Sequence, residues 1–163
     1  MESANAIADL QRRVRKVEDE LDIMRLIASY SPLVDSGAPG RAPRLWLKDG
    51  VYDIDTMRMD SAADIEAMLG TEAHQDFIRA GSAHVMGLPR IELDGDKATA
   101  VNYTRVYVHD GENYRVARVS ANIWQLERTA KGWRIRYRTN RLVRPGGPTP
   151  SMLGDAVRDP EAV

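Results

Sequence analysis

The second half of the chain most narrowly limits what it can fold into. Segments 83–93, 97–109, 114–128 and 133–143 are rich in Val, Ile, Tyr, Thr and Trp, and Asp-Gly-Asp, Asp-Gly-Glu-Asn and Ala-Lys-Gly separate them. Long β-prone runs divided by such turn residues predict four strands in an antiparallel meander. A sheet of that kind has one face that must be covered. The first half supplies the cover. Ile7, Leu10, Val14, Val17, Leu21, Met24 and Ala28 recur at alternating intervals of three and four, with Arg12, Arg13, Arg15, Lys16, Asp19 and Glu20 off the stripe. This predicts a long amphipathic helix that either docks on the sheet or forms a short coiled-coil seam with another chain. Pro32 and the run from Ser36 to Pro43 are expected to end it, and a short helix over Arg41–Lys48 to follow. Residues 51–56 read as a strand. Ser61–Leu69 and Thr71–Ala80 read as helices opened by the cap-type residues Ser61 and Thr71. The expected class is therefore α+β: a curved antiparallel sheet with helices packed over its concave face, enclosing a pocket. The domain spans residues 1–145. Residues 146–163 hold Pro148, Pro150 and Pro160 and are expected to form an irregular tail across the pocket mouth.

Composition removes several function classes. At 163 residues the chain is one domain. Its 23 Lys and Arg against 24 Asp and Glu leave a net charge of −1, which gives no long-range attraction for nucleic acid or an anionic membrane. No apolar run is long enough for a membrane span, so a soluble, cytoplasmic protein is expected. The absence of cysteine excludes disulfides and thiolate chemistry. His74, His84 and His109 form no metal-binding spacing, and no phosphate loop, dinucleotide fingerprint or serine elbow is present. No metal and no cofactor are expected.

Four residues stand out. The helical stripe extrapolated past Ala28 reaches Asp35, which either aims a carboxylate inward or opens the Asp-Ser-Gly turn. His84 shares a strand face with Met86 and is either a base oriented by a carboxylate or a satisfied core histidine. His74 and His109 read as surface residues. In the last strand, simple alternation places Arg141 with Trp133, Ile135, Tyr137, Thr139 and Val143, so an inward guanidinium would bind an anion or hydroxyl, or else form a structural ion pair. Tyr103, Arg105 and Tyr107 share one face of another strand, and Tyr103 and Tyr107 are expected to line the substrate cavity.

The helix order, Tyr30 five residues before Asp35, His84 five before Pro89, and Arg141 in the final strand resemble the SnoaL-like families of the nuclear transport factor 2-like, cystatin-like superfamily. Among its branches the pattern is most similar to bile acid 7α-dehydratase, with scytalone dehydratase and hexachlorocyclohexane dehydrochlorinase more distant. The resemblance implies a cone-shaped α+β barrel in which Tyr30, Asp35, His84 and Arg141 are catalytic. Tyr107 stands where the bile acid enzyme has an aspartate. The implied activity is cofactor-independent dehydration of a hydroxylated alicyclic or polycyclic small molecule, with an Asp–His dyad as base. Dehydrohalogenation, ketosteroid-type isomerisation and noncatalytic binding share that pocket. A homodimer or higher homo-oligomer is implied.

Overall fold

The computed structural model describes residues 2–157. Helix α1 (Glu2–Asp35) leads through a 3-10 turn (Ala42–Leu45) to β1 (Trp46–Ile54) and β2 (Met57–Met59). Helices α2 (Ala62–Leu69) and α3 (Glu72–Arg79) follow. Strands β3 (Ser82–Met86), β4 (Arg90–Asp94), β5 (Lys97–His109), β6 (Tyr114–Thr129) and β7 (Gly132–Leu142) then precede α4 (Thr149–Ala156).

Helix α1 does not end at Pro32. Proline removes one backbone donor and normally costs an interior helix about 3 kcal/mol. Here the ladder resumes, with the Ser36 N–H on the Pro32 carbonyl at 3.0 Å. Buried Tyr30, Ser31 and Val34 pin this last turn against the sheet, so packing outweighs the local penalty. Helices α2 and α3 begin where expected. Ser61 Oγ accepts the Asp64 N–H and Thr71 Oγ1 accepts the His74 N–H.

The sheet runs β2-β1-β7-β6-β5-β3, with β4 also paired to β5, and is curved and unclosed. Segment 83–93 is two strands. Both pair antiparallel with β5, and Gly87–Pro89 bridges them. The short helix expected over 41–48 is a single 3-10 turn, Ala42–Leu45, and the chain is a strand from Trp46 onward. This strand joins β7 in parallel, the one parallel pairing of the sheet. Gly50 permits this. A Cβ there would lie 2.8 Å from the Ile135 carbonyl oxygen and 2.8 Å from the Trp46 ring. The tail also differs from expectation, since α4 packs near β5 and β6; residues 158–163 lie outside the described part.

One bulge decides which side chains of the last strand face the helices. Gln125 pairs with Tyr137 and Leu126 with Ile135, so Arg136 is the extra residue between them. Its guanidinium is held by Asp49 at 2.7 Å and by Glu127 at 3.1 Å. The bulge reverses the alternation after Ile135. Trp133 and Ile135 face the core, then Arg138 and Asn140 do, and Tyr137, Thr139 and Arg141 turn away. Simple alternation had reached the opposite assignment. Among the described residues, no helix is long and apolar enough to cross a membrane.

Candidate functional site

The concave face is built in cross-strand rows. His84 stands opposite Val106, which stands opposite Arg118. The next row is Met86, Thr104, Ser120 and Leu142, then Asn102, Asn122, Asn140 and Ile54, and last Ala100, Trp124, Arg138 and Tyr52. Residues in one row share a face, and rows advance by two residues along each strand.

Asp35 closes the first row. It is the last residue of α1, and one carboxylate oxygen lies 2.6 Å from His84 Nδ1 while the other accepts the His84 backbone N–H at 2.9 Å. Two bonds from one carboxylate fix both the backbone and the ring of His84. A carboxylate accepts, so Nδ1 carries a proton, and in the neutral imidazole it is Nε2 that holds the lone pair. Nε2 makes no hydrogen bond among the described residues. The Phe77 ring meets the imidazole edge-on at 6.3 Å between centroids. Both side chains of the pair are mostly buried but not sealed. His74 is not a surface residue. Burial, and repulsion from the nearby His84 ring when it is protonated, push its pKa down, and its Nε2 is buried without a partner.

Arg118 is the cation of the same row and was missed by the sequence reading. It lies two strands from His84, about 10 Å at ordinary strand spacing. Its Nη2 bonds Asn140 Oδ1 at 2.9 Å and Asp55, while its Nε is buried and unpartnered. No pattern within segment 114–128 marked Arg118 as inward.

The deep end of the concave face holds a second arginine. Arg138 is 1% exposed, and its guanidinium lies 4.1, 4.3 and 4.6 Å from the ring centroids of Trp124, Tyr30 and Tyr52. Asn122 Oδ1 accepts from its Nε and Nη2 at 3.1 and 2.8 Å, and from Asn140 Nδ2 at 2.7 Å. Nη1 has no partner. Tyr30 is therefore packed into an aromatic box, with Trp46 and Trp124 at 5.6 and 5.9 Å. Burial drives the Tyr52 phenol far above its ordinary range, against the pull of the Arg138 charge, and the Tyr30 hydroxyl adds to the rise.

Of the residues singled out from sequence, the fold brings Asp35 and His84 into contact and gathers Tyr30 with Arg138. Arg141 is not with them. It pairs with Asp53 at 2.8 Å, and Tyr137 donates to the same carboxylate at 3.0 Å. The Arg141 hydrogen bond holds the Asp53 carboxyl below its usual range. Arg141 is thus an ion pair on the outer side of β7. Tyr103 and Tyr107 also face outward, because Tyr107 pairs with Ala83 while its neighbour Val106 pairs with His84. They cannot line a cavity on the dyad's face. Among the described residues, no group of three or more His, Cys, Asp or Glu is arranged to hold a metal.

No curated protein matches the chain. An NTF2-like protein with a cystatin-like fold from Novosphingobium aromaticivorans is 33% identical over 90% of this chain and 96% of its own, with a TM-score of 0.87. More remote structures share the fold. A protein of unknown function with a cystatin-like fold from Nostoc punctiforme is 19% identical over 80% of this chain and 95% of its own, TM-score 0.67. ActVI-ORFA from Streptomyces coelicolor is 17% identical over 75% and 95%, TM-score 0.66. The SnoaL-like domain profile matches residues 15–139. With that match spanning most of the fold, from within α1 into β7, the chain belongs to the SnoaL-like domain family.

Proposed function

We propose that this protein is a cofactor-independent lyase that removes water from a hydroxylated alicyclic or polycyclic small molecule, as in the bile acid 7α-dehydratase branch of the superfamily. The observation that carries the reading is the Asp35–His84 contact, in which one carboxylate grips both the ring and the backbone of the histidine and leaves Nε2 open. In the proposed reaction Nε2 takes a proton from a carbon next to an electron-withdrawing group. The electrons of that C–H bond form the new double bond, the C–O bond breaks, and the hydroxyl leaves as water after receiving a proton. Asp35 stabilises the imidazolium that forms. Arg118 takes the role that the sequence reading gave to Arg141. Its charge sits on the dyad's row, one to two ring widths away, where it favours negative charge developing on the substrate. Thr104 and Ser120 form the next row, where their hydroxyl oxygens accept from Asn122 and Asn140. Tyr30 is the proposed donor to the departing oxygen, from the deeper end of the same face.

A panel of hydroxylated alicyclic ketones and polycyclic alcohols, followed by mass spectrometry for the loss of one water, tests the reading. The wild type should convert at least one member. Asp35→Asn and His84→Gln should each slow that conversion by at least about 100-fold, the lower bound for losing a general base. Full activity in both variants would overturn the assignment. Halide release or double-bond migration in place of water loss would move the chemistry to a dehydrohalogenase or isomerase that uses the same base.

A further inference from the structure

The N-terminal half of α1 carries an apolar stripe that the protomer itself does not cover. Every residue from Ser3 to Glu18 is exposed. On the stripe, Ile7, Leu10, Val14, Val17 and Leu21 are 56, 57, 47, 56 and 39% exposed. The opposite side of the same helix faces the protomer across an open cleft, which Ala8, Gln11 and Lys16 line together with Leu93, Gly95 and Asp96 at the β4–β5 hairpin. The arm is also held at a fixed angle. Asp19 is gripped by two Arg128 nitrogens at 2.6 Å each and by Trp133 Nε1 at 3.2 Å, and Arg128 stacks on the Trp133 ring at 4.5 Å.

The stripe has heptad spacing, with Ile7, Val14 and Leu21 at a positions and Leu10, Val17 and Met24 at d positions. Flanking positions say what covers it. In a parallel pair each g residue meets the e residue of the partner's next heptad. Arg13 then faces Glu18 and Glu20 faces Arg25, and the two-fold axis repeats both pairs. No like charges meet. An antiparallel pair would match Arg13 with Glu20 alone. Among the described residues, neither Arg13 nor Glu18 makes an ion pair within the protomer, and the two border the apolar surface formed by Leu10, Val14 and Val17.

We propose that this arm pairs, parallel and in register, with the same segment of a second copy of the chain. Sedimentation velocity across a micromolar dilution series tests the proposal. The wild type should be a dimer that dissociates on dilution. Leu10→Glu with Val14→Glu should give monomers with unchanged circular dichroism, because both side chains are exposed in the protomer. Arg13→Glu alone places two Glu–Glu pairs across the seam and should raise the dissociation constant by about tenfold. Adding Glu18→Arg should restore it. A wild type that is monomeric throughout would overturn the proposal, as would a dimer that survives Leu10→Glu with Val14→Glu and is therefore held by another face. Failure of the charge swap to rescue would overturn the parallel register.

Discussion

Replacing Arg138 separates what a buried charge contributes to folding from what it could contribute to chemistry. Desolvating the guanidinium costs several kcal/mol, and no carboxylate compensates it among the described residues. Against that stand three contacts with ring faces at 4.1–4.6 Å, each worth about 0.5–2 kcal/mol. Bonds to Asn122 add about 1.5–3 kcal/mol for a charged donor. These terms nearly cancel. Arg138→Met keeps most of the volume, and Asn140 still satisfies Asn122 Oδ1, so stability should change by no more than about 2 kcal/mol in either direction. Arg138→Ala removes the same charge and also leaves a void among Trp124, Tyr30 and Tyr52, which should cost about 2–5 kcal/mol more. Urea denaturation at neutral pH measures both. On heating, the difference corresponds to roughly 2–4 °C per kcal/mol for a chain of this length. Equal, large losses in the two variants would refute the reasoning, because the ring and amide contacts would then far exceed the desolvation cost.

Arg141→Met should leave conversion of any substrate unchanged, whereas Arg118→Met should reduce it by about tenfold or more, the scale of a lost charge contact near the reacting centre; parallel kinetic assays decide between the two arginines. The Arg128 hydrogen bond holds the Asp19 carboxyl below its ordinary value of 3.8. A carboxylate depressed in the folded state stabilises above its unfolded pKa and loses that contribution as pH falls through the folded value. Asp19→Asn should therefore be less stable than wild type at pH 7, and the gap should close as the pH drops below about 4 in an acid titration followed by circular dichroism. His74 has the same sign at a higher pH. Its lowered pKa means that protonation opposes folding, so His74→Gln should flatten the stability loss as the pH falls below about 6.5 in urea melts.

The meander and the two capped helices were legible because each rests on a local pattern. Turn residues mark the ends of β5, β6 and β7, and Ser61 and Thr71 announce their helices. The stripe of α1 extrapolated to Asp35 is exposed from Ile7 to Leu21 and again at Ala28, and the buried side of the helix is Ile23, Ile27, Tyr30 and Val34, so the contact between Asp35 and His84 was suggested by the family resemblance and not by periodicity. The parallel docking of β1 on β7 was hidden, since it joins segments about 85 residues apart with no turn between them. Pro32 misled for a physical reason: its local penalty is real but smaller than the packing gained by the last turn of α1. The arginines were misassigned for another. Alternation is a rule of period two, and the extra residue at 136 is paid for by Asp49 and Glu127, one from another strand and one from across a hairpin, which a reading of the strand alone does not connect.

That extra residue works like a single phase slip in a printed pattern. Were the strand to run through position 136 without the bulge, every later side chain would fall back into step with Trp133 and Ile135, exchanging Arg138 and Asn140 for Tyr137, Thr139 and Arg141 on the interior. The polar lining of the cone and the ion pairs of its outer wall would change places together, with no letter of the sequence altered. Relatives that lack the slip would be expected to keep their interior cation on the other parity of this strand, so equivalence between final-strand arginines is better judged by facing than by column.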